Sequence, residues 1–187
     1  MNETITDTHT VYQGRIFDVQ VHTVQFPDGA RSIREIVQHK GAAAVVPLDD
    51  VGNILMVRQF RLAAGRPMLE IPAGGLSGTD EPPRDCAIRE LQEEIGHKPR
   101  ELIDLGSFYV APGYSTERIY LFLGRQLTPS RLEMDHDERI AVVRMPFDEV
   151  LAMVYDGRIM DSKTIIAVVR AARYLEAEEA GRAQRGR

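Results

Sequence analysis

Apolar and polar residues alternate along the first part of the chain. The alternation is clearest over residues 17–21, and further apolar residues follow at positions 33, 36 and 37, with a Pro-Asp-Gly segment at 27–29 between the two stretches. Alternation of this kind is typical of a strand with one buried face, and Pro-Asp-Gly is turn chemistry. The pattern predicts a long β-hairpin over residues 13–39. Because isolated hairpins are marginal in water, we expect it to pack on the rest of the chain or on a second subunit.

Short apolar runs of strand length follow the hairpin, at residues 42–48, 54–59, 102–110, 118–124 and 140–145. The first two runs flank a polar turn, so we expect them to pair with each other. Apolar residues at helical spacing predict a helix over residues 148–155 and another over 163–178, the second capped by Asp161-Ser162. Residues 181–187 are polar and glycine-containing, and they are predicted to fray.

A further helix is predicted in the middle of the chain. Pro82 and Pro83 follow two acidic residues, which is typical of a first helical turn, and Gly96 is placed to end the helix in a left-handed conformation. The buried stripe of this helix would consist of Ala87, Ile88, Leu91 and Ile95.

Three carboxylates of the same helix are predicted to converge on one patch. Glu90, Glu93 and Glu94 are spaced i, i+3 and i+4, so their like charges should repel. Arg89 can pair with Glu93, but one arginine does not balance three carboxylates, and clustered carboxylate oxygens suit Mg²⁺ or Mn²⁺. A solvated acidic surface is the alternative. The glycine loop and Glu81 at fixed distances upstream favour the metal site, since a solvated face needs neither.

Composition and charge restrict the class of protein. The chain has 187 residues, 43% of them apolar and 27% charged, with a formal net charge of -5. This length fits a single domain with a substantial core, and no apolar run reaches the roughly 18 residues of a membrane span. The negative charge argues against non-specific nucleic-acid binding. The polar N-terminus and the single cysteine, Cys86, lead us to expect a cytoplasmic protein.

The spacing from Gly75 to Gly96 is G-x5-E-x7-R-E-U-x-E-E-x-G, where U is a bulky aliphatic residue. It resembles the signature of the Nudix hydrolases, although His97 follows where an aliphatic residue is usual. The resemblance implies an α/β fold of the α+β kind, an α/β/α sandwich with a mixed β-sheet. It further implies three regions, namely an N-terminal β-hairpin extension over residues 1–41 that forms a dimer, a hydrolase domain over 42–180 and a flexible tail over 181–187.

The family resemblance also implies a reaction and a ligand set. The reaction is hydrolysis of a nucleoside diphosphate linked to another group, with two or more Mg²⁺ or Mn²⁺ ions bound. The implied metal ligands are the Ala73 carbonyl, Glu90, Glu93 and Glu94. Arg89, beside the catalytic Glu93, and Glu81 would orient those ligands.

A second resemblance concerns the ADP-ribose pyrophosphatases within that family. It rests on Pro112, fifteen residues beyond His97, and on residues 34–42 and 57–61. It implies conversion of ADP-ribose to AMP and ribose 5-phosphate by a homodimer whose N-terminal strands exchange between subunits. The implied substrate contacts are Arg34 and Glu35 at the adenosine end, Arg61 at the diphosphate or distal ribose, and Glu117. Residue type alone favours an ordinary surface pair for Arg34 and Glu35, whereas for Arg61 a surface position and a diphosphate contact are equally open.

Four acids lie close together before the last predicted strand, within residues 132–139. In the similar enzymes the general base occupies this loop, and Glu138 aligns best with the following strand, with Glu133, Asp135 and Asp137 as rivals. The hypothesis is that Glu138 takes a proton from the attacking water. A solvated loop is the alternative for these acids. For the whole chain, the alternatives are a Nudix hydrolase with another nucleotide substrate and a module that binds ADP-ribose without cleaving it.

Overall fold

The computed structural model describes residues 2–78, 80–133 and 139–185. The strands in these ranges are β1 Thr4–Gln13, β2 Phe17–Gln25, β3 Arg31–His39, β4 Ala42–Pro47, β5 Asn53–Arg61, β6 Arg66–Glu70, β7 Ala73–Gly75, β8 His97–Tyr109, β9 Arg118–Pro129 and β10 Ile140–Pro146. The α-helices are α1 Pro83–Glu94, α2 Phe147–Tyr155 and α3 Ser162–Arg185. Within the described ranges, no helix is both long and apolar enough to cross a membrane.

The N-terminal region is a three-stranded antiparallel sheet in the order β1-β2-β3. The predicted hairpin is confirmed as β2 and β3, which pair from Phe17 with His39 to Gln25 with Arg31. Strand β1 was not predicted, and it lies along the outer edge of β2. Every residue of β1 is exposed, so no burial imposes an apolar alternation that a sequence pattern would reveal.

Two further sheets make up the rest of the fold. One has the order β7-β4-β9-β8, with β4 parallel to β9, and the other has the order β10-β5-β6. The prediction that residues 42–48 pair with residues 54–59 was wrong, because a single bridge between Leu48 and Ile54 joins those stretches in the described chain. Strand β4 is buried along its whole length and has β7 and β9 on its two edges, so its pairing groups are already used.

Strand β4 is the centre of the sandwich. Its alternate side chains enter two different apolar clusters: Ala43 and Val45 pack with Leu91 of α1, and Ala44 and Val46 pack in the cluster that includes Val168 of α3. Each fully buried side chain of the size of Leu91 contributes about 1.5–3 kcal/mol to folding. The mixed sheet therefore has α1 on one face and α3 on the other, as the predicted α/β/α sandwich requires.

The ends of α1 and α3 follow the local sequence signals. Helix α1 begins at Pro83 and is followed by Gly96, whose φ of 69° is the left-handed conformation expected of it. Helix α3 is capped by Asp161, whose carboxylate accepts a hydrogen bond from the Thr164 backbone N–H at 2.9 Å. Helix α3 also continues through residues 181–185, beyond the end predicted from the apolar pattern.

Candidate active site

A cleft of about 840 Å³ opens beside β7, between the first turn of α3 and the acidic side of α1. Six of the residues predicted for the site line it: Arg61, Ala73, Arg89, Glu90, Glu93 and Glu117. Other cleft residues were not predicted, namely Arg15, Ile16, His39, Lys40, Asp161, Ser162 and Lys163. The cleft therefore combines the acidic helix with basic side chains from distant parts of the chain.

Gly74 allows the Glu90 carboxylate to approach the backbone of β7. A Cβ atom added at this position would lie closer than 3.0 Å to both carboxylate oxygens of Glu90, a distance that real Cβ atoms essentially never show. The Glu90 side chain is buried, with a residue exposure of 6%. The glycine of this loop is thus required by the space that an acidic side chain of α1 occupies.

Arg89 gathers the carboxylates of this region. Its Nη1 donates to Glu90 at 2.6 Å and to Glu93 at 2.8 Å, while its Nε donates to Glu81 at 3.1 Å. Burial alone would lower the pKa of Arg89, but these bonds raise it above the ordinary arginine value, so the guanidinium stays charged. Burial alone would raise the pKa of Glu81, but the bond to Arg89 holds the pKa of that carboxyl below its usual value. Glu81 is therefore an ionised anchor for Arg89.

Glu94 contacts the first residue of β7. It is 4% exposed, and its Oε2 accepts a hydrogen bond from the Ala73 N–H at 3.1 Å. Glu81, Glu90 and Glu93 place three carboxylates around the guanidinium of Arg89, and Glu94 adds a fourth carboxylate beside Ala73. Carboxylate oxygens in excess over cations, beside a glycine cradle, fit a hard divalent ion.

The described residues nevertheless hold no ready-made cage for an ion. Within the ranges given above, no three His, Cys, Asp or Glu side chains lie close enough together to bind one metal. The hydrogen bonds divide the predicted ligands: Arg89 Nη1 lies between Glu90 and Glu93, and Glu94 accepts a bond from the Ala73 N–H. Of the predicted ligands, Glu90 and Glu93 thus share one partner, while Ala73 and Glu94 form a separate pair.

Arg61 belongs to a second charged cluster of the cleft. Its Nε and Nη2 both donate to the Glu70 carboxylate at 2.8 Å, and Lys163 forms an ion pair with the same carboxylate. Lys163 also donates to Asp161 at 3.0 Å. Burial would raise the pKa of Glu70, but Arg61 and Lys163 outweigh it and hold that pKa below its usual value. The sequence feature that could have indicated this cluster is Glu70 itself, a lone acidic residue between two apolar residues of a predicted strand.

Glu117 reaches the cleft at the end of the loop that contains Pro112. This loop is tied to β3, since the Val37 N–H donates to the Tyr114 carbonyl at 2.8 Å and the Thr116 N–H donates to the Val37 carbonyl at 3.0 Å. The His39 N–H adds a bond to the Thr116 hydroxyl at 2.9 Å. The N-terminal sheet and the predicted substrate loop are therefore held together at the cleft.

Three described residues that were predicted for the site, Arg34, Glu35 and Glu94, do not line this cleft. Arg34 lies on β3 and forms an ion pair with Glu3 at 2.7 Å, and its neighbour Glu35 is an exposed residue of the same strand. Their substrate roles stay predictions, which rest on a second subunit. Glu138 and its rivals Asp135 and Asp137 lie outside the described residues, whereas Glu133 is described and exposed.

The mixed sheet between α1 and α3, with an acidic helix facing a cleft that also holds arginine and lysine, defines an enzyme of the α/β/α sandwich class. Comparison with known families makes this specific. Residues 38–166 match the NUDIX domain, and residues 3–37 match the nucleoside diphosphate sugar hydrolase N-terminal domain. The chain belongs to the Nudix family and is a Nudix hydrolase, a family whose members generally need a divalent metal ion.

Individual relatives agree with the family match. An ADP-ribose pyrophosphatase of Bacillus subtilis (strain 168) is 37% identical over 94% of this chain and 93% of its own length. A methanol dehydrogenase activator of Bacillus methanolicus is 38% identical over 92% of each chain. Among solved structures, an ADP compounds hydrolase superimposes with a TM-score of 0.83 over 95% of this chain and 96% of that one, at 23% identity. This last likeness concerns the fold.

Proposed function

We propose that this chain hydrolyses ADP-ribose to AMP and ribose 5-phosphate as a divalent-metal-dependent homodimer. The observation that carries the proposal is one cleft that contains both the acidic face of α1 and the Arg61 guanidinium. A diphosphate needs cations around its oxygens, and carboxylates are required to hold those cations. The similar B. subtilis protein is named as an ADP-ribose pyrophosphatase, which supports this substrate over other nucleotide derivatives.

Glu90, Glu93, Glu94 and the Ala73 carbonyl are the residues that would hold the ions, two or more Mg²⁺ or Mn²⁺. Bound there, the ions would neutralise the diphosphate and favour attack of water on phosphorus. Arg89 would then release Glu90 and Glu93 while keeping its bonds to Glu81 and to the Gly75 carbonyl at 3.1 Å. Arg89 is thus a positioning residue, and Glu90 and Glu93 would bind the metal ions in its place.

The remaining roles concern substrate and base. Arg61 would bind the diphosphate or the distal ribose, and Glu117 would contact the substrate from the Pro112 loop. Arg34 and Glu35 of a partner subunit would contact the adenosine end. Glu138 would accept the proton of the attacking water, while one phosphorus–oxygen bond of the diphosphate breaks and the negative charge leaves with the departing phosphate.

A substrate panel tests the function. ADP-ribose, GDP-mannose, a dinucleoside tetraphosphate and 8-oxo-dGTP are each incubated with Mg²⁺ or with EDTA, and the products are resolved by chromatography. We expect ADP-ribose to be cleaved fastest, to AMP, and only with Mg²⁺. A faster rate with another substrate would refute the proposed specificity, and tight binding of ADP-ribose without cleavage under any metal would favour a sensor.

Two variant pairs test the assigned residues. Glu93→Gln should lower kcat by at least about 100-fold, whereas Glu149→Gln, the same change at an exposed position of α2, should leave activity unchanged. Glu138→Gln should lower kcat by about 100-fold, the effect typical of losing a general base, and Glu133→Gln should not. Wild-type turnover by Glu138→Gln would refute the role of Glu138.

A further inference from the structure

Glu70 has two cationic partners, Arg61 and Lys163, although Arg61 alone already bonds both of its carboxylate oxygens. The Arg61 fork already supplies two hydrogen bonds at 2.8 Å, one to each Glu70 oxygen. Lys163 then contacts the same Oε2 that Arg61 Nη2 contacts. Glu70 is 1% exposed, so both cations are committed to a carboxylate that water does not reach.

Lys163 and Arg61 differ in how far they face the cleft. Both line it, but the Arg61 side chain is 40% exposed and that of Lys163 is 12% exposed. Lys163 is held between Glu70 and Asp161, and Asp161 is in turn fixed by capping α3 through the Thr164 N–H at 2.9 Å. The ammonium group is therefore anchored to the first turn of a helix, and Arg61 is the more accessible of the two cations.

We infer that Lys163 is a positioning residue for the reaction, which acts through Glu70 to hold Arg61 at the diphosphate of the substrate. A polyanionic substrate draws the Arg61 guanidinium away from Glu70, and a buried carboxylate left with no partner opposes that movement. Lys163 supplies the second partner, so Arg61 turns toward phosphate while Glu70 stays paired. This inference rests on the proposed function, since it concerns how the diphosphate is bound.

The kinetic consequence is specific. Arg61 would contact the diphosphate both before and during the reaction, so weakening its alignment raises KM more than it lowers kcat. Lys163→Met removes the ammonium group and keeps the length of the side chain. We expect KM for the diphosphate substrate to rise about tenfold, as befits the loss of a hydrogen bond to a charged group, with kcat within about twofold of wild type.

The matched control is Lys98→Met, the same change at an exposed position of β8. It alters the net charge equally, and it should leave KM and kcat unchanged. Lys163→Arg, which restores a cation near Glu70, should recover most of the wild-type KM. A role confined to stability would instead lower the unfolding temperature of Lys163→Met and leave its KM at the wild-type value, and that result would overturn the inference.

A double-variant comparison separates action through Arg61 from direct contact with the substrate. Arg61→Lys keeps the charge but lacks the fork. If Lys163 acts through Arg61, Lys163→Met should change KM by less than about twofold in the Arg61→Lys background. A full additional tenfold loss there would overturn the inference. If Lys163→Met does not fold at the assay temperature, Lys163→Gln replaces it, because it keeps a donor for Glu70 without the charge.

Failure of the proposed function is recognised before these variants are compared. Wild-type protein is first assayed with ADP-ribose and Mg²⁺. Absence of turnover in that assay would refute the proposed function and would not test the role of Lys163. The variants are then compared on whichever substrate of the panel the wild type cleaves fastest, or by calorimetric titration with ADP-ribose if none is cleaved. In each format the deciding quantity is the KM, or the dissociation constant, of Lys163→Met divided by that of Lys98→Met.

Discussion

Replacing Gly74 by alanine should reduce catalytic activity far more than it reduces folding stability. The added methyl group would lie far inside the ordinary contact distance of the Glu90 carboxylate, so that group must retreat. Reaching the ordinary contact distance of 3.4 Å requires a shift of more than about 1 Å, and a misplacement of that size commonly costs about 100-fold in rate. The retreat also disturbs the 2.6 Å bond from Arg89 Nη1 to Glu90.

Stability should change much less than activity. The displaced atoms are the end of a flexible side chain and not backbone, so we expect a loss of about 1–2 kcal/mol, at the lower end for overpacking. The assay is kcat/KM with Mg²⁺, beside urea unfolding of the same preparations. Gly78→Ala is the matched control, because a Cβ there meets no atom within 4 Å. Activity of Gly74→Ala within about threefold of that control would refute the argument that this glycine makes room for Glu90.

Three further predictions concern buried groups around the cleft. Thr164→Val should cost about 1–3 kcal/mol of unfolding free energy, measured in urea, because the buried Ile71 N–H loses its acceptor at 3.0 Å, and an unchanged midpoint would contradict this. Cys86 is fully buried and its pKa is raised to about 12, so iodoacetamide at pH 8 should label it in guanidinium but not in the folded protein, as followed by mass spectrometry. The folded-state pKa of Glu70 is depressed, so its ionised form adds stability above the ordinary value of 4.5 and loses it as the pH falls through the depressed value. The difference in unfolding free energy between wild type and Glu70→Gln should therefore shrink below pH 4.5, and a constant difference would contradict the pairing.

The parts predicted correctly from sequence depend on neighbours along the chain. Helix α1 was predicted from prolines, acids and an apolar stripe within about twenty residues, and Gly96 ends it with the expected positive φ. Pairing of β4 depends instead on β9, which lies far along the chain, so a turn next to β4 gave the wrong partner. A local sequence pattern does not specify which distant strand pairs with an edge of β4.

The same distinction applies within the site. Glu90 and Glu93 were found because helical spacing brings them to one face, where Arg89 binds both. The partnership of Glu70 with Lys163 joins residues 93 positions apart, and no spacing rule connects them. Arg61 was predicted as a phosphate contact, but the buried acid that orients it only becomes visible when β6 lies beside the start of α3.

The short segment from Ile71 to Ala73 is held from two layers of the sandwich at once. Thr164 of α3 accepts a hydrogen bond from the Ile71 N–H, and Glu94 of α1 accepts one from the Ala73 N–H. Each helix packs into a different apolar cluster, so the two hydrogen bonds come from helices that are anchored in separate parts of the core. Because Gly74 follows directly and meets Glu90, the backbone next to the proposed metal ligands is fixed by side chains from both faces of the sheet. This double attachment holds β7, a strand of only three residues, in place as one wall of the cleft.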